Sequence, residues 1–306
     1  MRLVFAGTPD AAVPSLRRLA DSDHEIAAVV TRSDAPLGRK RVLTPSPVAQ
    51  AAAELGLEVI KADRLDAATT EAIGALQPDL GVIVAYGGLV REPLLSLPAH
   101  GWINLHFSLL PRWRGAAPVQ RALIAGDAET GAAVFQLVPE LDAGDVFDEL
   151  RIPVPDGATS ADLLADLAAR GAELVAEVVD GIGAGTACAT PQQGEPTLAP
   201  KLTLDDGRIR WDEPRDAVLA RIRGVTPEPG AHTTLSDARL KVLAVGAATG
   251  GEALRPGEIR LVGRAVHAGT GTEPIVLERV QPAGKGAMAA ADWWRGLRVD
   301  GSVVAR

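Results

Sequence analysis

The stretch WINLHFSLLP, residues 102–111, decides how the rest of the chain is interpreted. Apolar and polar residues alternate as far as His106, which predicts a β-strand that ends in the proline-bearing loop after it. Side chains of a strand alternate between its faces, so Asn104 and His106 lie on the same face. A carboxamide and a titratable imidazole are therefore expected together at the carboxyl end of a strand, where open parallel sheets bind ligands.

Strand and helix patterns alternate on both sides of this stretch. Nearly all-apolar runs at residues 25–31 and 80–85 predict strands that are covered on both faces, and residues 2–6 predict a first strand. Helical spacing of apolar residues lies between the strands, and residues 160–179 form a long amphipathic helix pattern. This alternation predicts an α/β fold with a doubly wound parallel sheet in the first part of the chain.

The amino-acid composition changes near residue 180. Residues 180–200 are rich in Gly, Pro, Thr and Gln, which predicts an inter-domain linker. Short strand patterns separated by turn residues follow, and they predict a smaller β-barrel, the OB type among them. We therefore predict an N-terminal domain over residues 1–187, a linker over residues 188–204 and a C-terminal domain over residues 205–306.

Composition narrows the class of protein. The chain has 306 residues, 47% of them hydrophobic but only 3% aromatic, so its cores must be built from small aliphatic side chains. One cysteine, Cys188, excludes an internal disulfide and a Cys-rich zinc site, which fits a reducing cytoplasm. No apolar run approaches the length of about 18 residues typical of a membrane helix. The apolar run at the start of the sequence ends at Gly7 and is too short for the apolar region of a signal peptide. We therefore expect a cytoplasmic protein without a membrane partner.

Charge is unevenly distributed along the chain. The formal net charge is −8, yet residues 188–306 hold 16 Lys and Arg against 14 Asp and Glu, whereas residues 1–187 hold 15 against 25. A slightly basic second half is compatible with a phosphate backbone as partner. In the first half, residues 32–47 carry Arg39, Lys40 and Arg41 among glycine and prolines, which predicts an exposed basic loop. Contact with a phosphate-bearing substrate and an ordinary solvated turn remain alternatives for this loop.

Asn104 and His106 point to attack on a carbonyl carbon. The amide of Asn104 can donate to an oxygen that becomes negative, and His106 can take or give a proton. A third group is expected in ELDAGD, residues 140–145, where Asp142 can orient His106 or relay a proton through water. A turn aspartate that accepts its own backbone amides is the alternative. The backbone of residues 108–111 can hold a planar hydrogen-bonding ligand, or the segment is an ordinary strand exit.

Other common site motifs are missing from the sequence. Only one glycine of the dinucleotide-binding G-x-G-x-x-G pattern follows the first strand, at Gly7. The five histidines include no H-x-x-x-H pair, so no metal site is expected. The G-x-S-x-G motif of serine hydrolases is absent.

Several motifs together resemble the methionyl-tRNA formyltransferases. They are FAGTP (5–9), GRKR (38–41) followed by PSPV (45–48), VAYG (84–87), INLH (103–106), RWRGAAP (112–118), LDAGD (141–145) and QPAGKGAM (281–288). The Asn-x-His pair with a distant Asp is shared by folate-dependent formyltransferases generally. The RWRGAAP run together with the QPAGK tail is typical of a much narrower group of proteins. The resemblance covers nearly the whole chain.

The resemblance implies a Rossmann-like formyltransferase domain, a linker and an OB-like tRNA-binding domain. It implies 10-formyltetrahydrofolate as donor, the α-amine of methionine on initiator tRNA as acceptor, and no metal. The implied catalytic residues are Asn104, His106 and Asp142. The implied folate-binding residues are Ser108, Leu109, Leu110, Pro111, Ala85, Tyr86 and Gly87. The implied tRNA-binding residues are Arg39, Lys40 and Arg41. We expect a monomer.

The expected mechanism is direct acyl transfer. Asn104 and a protonated His106 stabilise the oxyanion, while Asp142 orients the histidine and receives the amine proton through water. The alternatives within the same enzyme class are a formyltransferase acting on a sugar-nucleotide amine or on glycinamide ribonucleotide, and a formyltetrahydrofolate hydrolase. A tRNA- or nucleotide-binding module with an inactive site is the alternative from another class. Residues 37–47 and the C-terminal domain discriminate among them.

Overall fold

The computed structural model of the chain describes residues 1–38, 40–248 and 253–306. The chain divides into two compact units. The first contains Met1–Pro118, Glu129–Ile152 and Leu164–Ala199, and the second contains Val119–Ala128, Pro153–Leu163 and Pro200–Arg306. The predicted division at residues 187 and 204 stays a prediction.

Strands and helices alternate from the N-terminus, as the apolar runs predicted. The strands are β1 Arg2–Gly7, β2 Glu25–Thr31, β3 Ala35–Leu37, β4 Val42–Thr44, β5 Val59–Lys61, β6 Leu80–Val84, β7 Trp102–His106, β8 Glu129–Gln136 and β9 Val146–Pro153. The helices are α1 Val13–Ala20, α2 Pro47–Glu54, α3 Ala67–Ala75, α4 Pro118–Ala125 and α5 Ser160–Ala184. Ser46 caps α2 by accepting the Ala49 amide, and Asp66 caps α3 by accepting the Thr69 amide.

The first unit is built on a sheet with the strand order β5-β2-β1-β6-β7-β8-β9. The pairs from β5 to β7 are parallel, and β8 runs antiparallel to β7. Strand β6 is buried along its whole length because both sheet faces are covered. Gly81 in β6 allows the Trp102 ring to approach, since a Cβ there would lie 2.1 Å from the indole. The predicted doubly wound α/β fold is confirmed.

The basic segment at residues 32–47 contains more structure than the sequence predicted. Strands β3 and β4 pair antiparallel within it, with Ala35 opposite Thr44 and Leu37 opposite Val42. Each strand has only three residues and β3 contains a proline, so no apolar period reveals them. Leu37, Val42 and Leu43 are exposed on this hairpin. Arg39 lies outside the described residues.

The Gly/Pro-rich segment at residues 180–200 is also more ordered than a linker composition suggests. Helix α5 continues to Ala184. Thr190 and Val146 exchange backbone hydrogen bonds of 2.8 and 2.9 Å, and Leu198 forms a parallel bridge with Arg114. Composition identifies the absence of regular elements, but it does not reveal where the backbone groups find their partners.

The second unit contains a smaller antiparallel sheet. Its strands are β10 His232–Leu235, β11 Ala238–Ala247, β12 Glu258–Val262, β13 Ala265–Ala268, β14 Ile275–Pro282, β15 Met288–Ala289 and β16 Ser302–Val304, in the order β10-β11-β14-β13-β12-β16 with β15 paired to β14. Its further helices are α6 Arg215–Gly224 and α7 Ala290–Leu297. The core of this unit includes Trp211, Trp293 and Trp294, three of the five tryptophans in the sequence. Before these strands, Asp205–Gly207 forms a 3₁₀ turn, and Arg208 after it forms a single bridge with His232. The sequence suggests a strand over residues 207–211, but a single bridge is not a strand.

None of the helices in the described ranges is long and apolar enough to cross a lipid bilayer.

Candidate active site

Strand β7 carries the first two site residues. Asn104 lies between Ile83 of β6 and Phe135 of β8, and His106 lies opposite Ala133 of β8. The His106 side chain is 6% exposed, and its ring meets the ring of Phe135 edge-on at 6.3 Å between centroids. Strands on both sides hold the backbone of β7, so the two side chains project from a rigid position at its carboxyl end.

Asn104 has an unsatisfied buried acceptor. Its carboxamide oxygen is shielded from solvent and meets no hydrogen-bond donor among the described residues. A buried polar atom without a partner costs about 1–3 kcal/mol, which a donor on a bound ligand removes. An acceptor of this kind at the carboxyl edge of a parallel sheet is suited to hold an N–H group of a substrate.

His106 is held as the tautomer with a proton on Nε2. Nε2 lies 2.8 Å from the Trp113 carbonyl oxygen, which can only accept. Burial lowers the pKa of His106 below its ordinary value of 6.5, and the nearby charge of Asp142 and the bond to Trp113 only partly oppose this. The imidazole is therefore neutral at pH 7, with a free lone pair on Nδ1. The expected protonated His106, which would stabilise the oxyanion during the reaction, stays a prediction, and it requires that the ring gain its proton in the reaction itself.

Asp142 faces the histidine from another loop. Its Oδ2 lies 3.8 Å from His106 Nδ1, too long for a direct hydrogen bond but close enough for strong charge coupling. The same oxygen accepts the Gly115 amide at 2.7 Å. Gly115 has φ +124°, and a Cβ there would lie 2.8 Å from the Ala199 carbonyl oxygen, so the position requires glycine. Asp142 therefore does not act as a simple turn aspartate, since its partner is 27 residues away in the chain.

The loop after β7 turns its side chains inward. Ser108 is 1% exposed, and its hydroxyl donates to the Arg112 carbonyl at 2.6 Å. Leu110 packs with Ala133 and Phe135 in a buried cluster. Leu109 packs over Gly131, where an added Cβ would lie 2.5 Å from the leucine Cδ2. The predicted role of Ser108, Leu109, Leu110 and Pro111 in binding folate stays a prediction, and it rests on backbone groups rather than on the serine hydroxyl.

The loop after β6 lies at the next strand end. Ala85 and Gly87 have φ of +49° and +77°. Tyr86 is buried, which raises the pKa of its phenol, and its hydroxyl donates to the Ala62 carbonyl at 2.6 Å. This loop also offers a ligand backbone groups rather than the tyrosine hydroxyl. The predicted folate contacts of Ala85, Tyr86 and Gly87 likewise stay a prediction.

Two residues that the sequence did not single out support this loop. Arg32 donates to the Gly87 carbonyl at 2.6 Å, and its guanidinium lies 5.9 Å from the centre of the Tyr86 ring. Thr8 donates from its hydroxyl to the Tyr86 carbonyl at 3.3 Å. Their positions directly after β2 and β1 were the available signal, because the carboxyl ends of neighbouring parallel strands meet at one edge of a sheet.

Two of the three predicted tRNA-binding residues lie in the turn of the basic segment at residues 32–47. Lys40 and Arg41 are exposed in the turn that joins β3 to β4. Arg39 belongs to the same prediction and lies outside the described residues. No cluster of three or more His, Cys, Asp or Glu side chains suited to a metal ion occurs in the part of the chain that the structure describes.

Comparison with known proteins assigns the family. Residues 1–179 match the family described as Formyl transferase, and residues 201–298 match Formyl transferase, C-terminal domain. A methionyl-tRNA formyltransferase of Clavibacter sepedonicus is 61% identical over 306 residues, covering 100% of both chains. Another of Leifsonia xyli subsp. xyli is 63% identical over 296 residues, covering 97% of both.

A solved structure extends the likeness in fold. The sugar 3N-formyl transferase WlaRD, crystallised in the presence of dTDP and 5-N-formyl-THF, superposes with a TM-score of 0.70 at 14% identity. The superposition covers 94% of this chain and 99% of that one, and at this identity it concerns the fold alone. The two family matches and the full-length relatives agree with the motifs at residues 103–118, 141–145 and 281–288. The chain therefore belongs to the formyl transferase family, alongside relatives that carry the name methionyl-tRNA formyltransferase.

Proposed function

We propose that the protein transfers the formyl group of 10-formyltetrahydrofolate to the α-amine of methionyl initiator tRNA, giving N-formylmethionyl-tRNA for translation initiation. The observation that carries the proposal is the pairing of buried His106 with the half-buried Asp142, beside Asn104 at the carboxyl edge of the sheet. Full-length relatives named for this reaction support the choice of acceptor.

His106 is the proton acceptor in this proposal. An amine that attacks a formyl carbon must lose a proton, and a neutral imidazole takes it at Nδ1. Nε2 keeps its own proton on the Trp113 carbonyl throughout, so the ring does not have to turn. Once Nδ1 is protonated, the Asp142 carboxylate at 3.8 Å stabilises the imidazolium. The Asp142 charge therefore lowers the energy of the charged state that forms during the reaction, although the resting imidazole stays neutral.

Asn104 is proposed to align the reacting groups. Its amide N–H donates to the formyl oxygen as negative charge develops there, which lowers the barrier of acyl transfer. Its buried oxygen accepts an N–H group of a substrate and so loses its unsatisfied state. Both ends of one carboxamide are then used in the reaction, on a strand that holds it rigidly.

The donor fits the loops that follow β6 and β7. 10-Formyltetrahydrofolate supplies the formyl carbon, and the bond from that carbon to N10 breaks as N10 takes up the proton that His106 accepted from the attacking amine. Backbone groups of Ala85, Tyr86 and Gly87 would hold it from one strand end, and those of Ser108, Leu109, Leu110 and Pro111 from the next. The orphaned oxygen of Asn104 lies on β7, immediately before the second loop, which makes this edge suited to a ligand rich in N–H donors.

The acceptor is proposed to be held by the C-terminal region and by the hairpin of β3 and β4, which we call the basic hairpin. Arg39, Lys40 and Arg41 would bind the acceptor end of the tRNA through its phosphates. We assign catalysis to residues 1–187, linkage to residues 188–204 and tRNA binding to residues 205–306. A monomer in the cytoplasm is sufficient for this reaction.

The test is an assay with three acceptors. The protein is incubated with 10-formyltetrahydrofolate and either methionyl initiator tRNA, a dTDP-linked amino sugar or water alone, and the formylated product and tetrahydrofolate are quantified. Formyl-methionine on the tRNA is the expected product. Formylated sugar or tetrahydrofolate release in water alone, without tRNA product, would replace the proposal by the corresponding alternative.

Arg39→Ala tests the basic hairpin in the same assay. Removal of its charge is expected to reduce turnover on tRNA and to leave the affinity for the folate donor unchanged, since phosphate contacts position a nucleic acid. Raising the salt concentration should weaken tRNA binding to the wild type more than to the variant. A folate defect in Arg39→Ala would move the hairpin's role to the donor site.

A further inference from the structure

The side chain of Gln192 is hydrogen-bonded at both ends. Its Nε2 donates to the carbonyl oxygens of Asp142 and Gly144, each at 2.8 Å. Its Oε1 accepts from Nε of Arg114 at 3.1 Å and from Nη2 at 2.6 Å. A carboxamide has two N–H donors and an oxygen with two lone pairs, so Gln192 uses its full capacity. A surface glutamine in a linker would have no reason to do so.

Gln192 lies in a segment that is tied to both loops of the site. We call residues 190–199 the tie segment. Thr190 bonds to the backbone of Val146, which follows the Asp142 loop, with distances of 2.8 and 2.9 Å. Thr197 accepts the Trp113 amide on its hydroxyl at 2.9 Å and the Arg114 amide on its carbonyl at 2.9 Å. The tie segment thus joins the loop that contacts His106 to the loop that carries Asp142.

The carbonyl groups that Gln192 holds belong to Asp142 itself and to Gly144. Asp142 has φ +46°, in the left-handed region that non-glycine residues seldom adopt. Gln192 bonds to its carbonyl and to the carbonyl two residues later, so it grips the backbone on both sides of Ala143. Gly144 is close-packed as well, since an added Cβ would lie 1.8 Å from the Gln136 carbonyl oxygen. Gln192 therefore restrains the backbone from which the Asp142 side chain projects.

We propose that Gln192 is a positioning residue that keeps the Asp142 carboxylate directed at Nδ1 of His106 by bonding to the backbone around Asp142 and to Arg114. Gln192 acts through Asp142 and does not need to touch either substrate. This role rests on the proposed formyl transfer, whose own assay is independent of any Gln192 variant. The residues that carry the role come from a segment whose composition predicted only a linker.

Two substitutions separate the two ends of the side chain. Gln192→Glu keeps the length and the acceptor for Arg114 but removes both N–H donors to the Asp142 loop. Gln192→Met keeps the approximate size and removes all four hydrogen bonds. Gln193→Ala is the matched control, because the neighbouring glutamine is exposed. Each variant is compared with the wild type for kcat, for KM of both substrates, for thermal midpoint and for binding of the folate donor.

Both Gln192 variants are expected to lose about 10- to 100-fold in kcat, because a catalytic group displaced by about 1 Å costs up to that order. The KM values should stay within about threefold, since substrate contacts are unchanged. Gln193→Ala should match the wild type. Wild-type kcat in Gln192→Glu would overturn the proposal, because the donor half would then be dispensable. A wild-type enzyme that does not formylate methionyl-tRNA would instead refute the proposed function.

The pH profile distinguishes positioning from a purely structural role. The Asp142 charge opposes the lowering of the His106 pKa. A displaced Asp142 opposes it less, so the acid limb of kcat/KM should move to lower pH in Gln192→Met. A fall in kcat with an unmoved acid limb would mean that Gln192 only stabilises the loop, and the proposal would be wrong. If Gln192→Met fails to fold, the kcat of Gln192→Glu decides.

Discussion

Asp142→Asn is the most informative single change at the site. The two side chains have the same shape, and an amide oxygen can still accept the Gly115 amide that lies 2.7 Å from the carboxylate now. Only the negative charge at 3.8 Å from His106 Nδ1 is removed. The substitution therefore tests whether that charge stabilises the imidazolium formed when His106 takes the amine proton.

The geometry sets the size of the effect. Two unit charges 3.8 Å apart attract each other by about 4 kcal/mol at an effective dielectric constant of about 20. Solvent screening is limited because the His106 and Asp142 side chains are only 6% and 13% exposed. Since about 1.4 kcal/mol corresponds to a tenfold change in rate, the expected loss in kcat is about 10³-fold. This lies within the range of about 10²–10⁴ measured for general acid–base catalysis.

The assay is the initial rate of formyl-methionyl-tRNA formation at saturating concentrations of both substrates. Asp145→Asn is the matched control, because it removes the same charge from an exposed position in the same loop. Thermal midpoints of both variants should stay close to the wild type, which shows that the fold is intact. A loss of less than about tenfold in Asp142→Asn, or an equal loss in Asp145→Asn, would refute the charge-coupling argument.

Three further predictions concern pH and packing. Because burial lowers the pKa of His106, the acid limb of kcat/KM should have its midpoint below pH 6.5, and a midpoint above that value would contradict a neutral catalytic base. Because the pKa of His106 is lower in the folded than in the unfolded protein, the unfolded protein binds a proton more readily below pH 6.5, and the free energy of unfolding falls as the pH falls. The difference in the free energy of unfolding between pH 7 and pH 5, measured by urea titration, should therefore be smaller in His106→Asn than in the wild type. Gly81→Ala should destabilise the protein by about 1–3 kcal/mol, because its Cβ meets the Trp102 ring at 2.1 Å. Gly296→Ala, in a helix with open space around it, should be neutral or stabilising in the same denaturation assay.

The sequence pattern was sufficient to predict those features that depend only on neighbouring residues in the chain. The all-apolar runs predicted β2 and β6 because a strand covered on both faces excludes polar residues, and the structure has them at Glu25–Thr31 and Leu80–Val84. The common face of Asn104 and His106 follows from the two-residue period of a strand. The sequence did not predict β3 and β4, because three residues are too few to display a period.

The tertiary structure decided everything that depends on distant neighbours. Burial beside Phe135 lowers the pKa of His106, and the Trp113 carbonyl fixes the tautomer of the ring; neither follows from the INLH motif. The Arg32 support of the Tyr86 loop and the Gln192 bonds to Asp142 join residues about 50 positions apart. Hydrogen bonds and desolvation depend on which groups meet in space, whereas residue periodicity reports only which face of its own element a side chain occupies. The sequence alone therefore determined the fold class and the candidate chemical groups, and the folded chain decided the charge state of His106 and the contacts that hold the site residues in place.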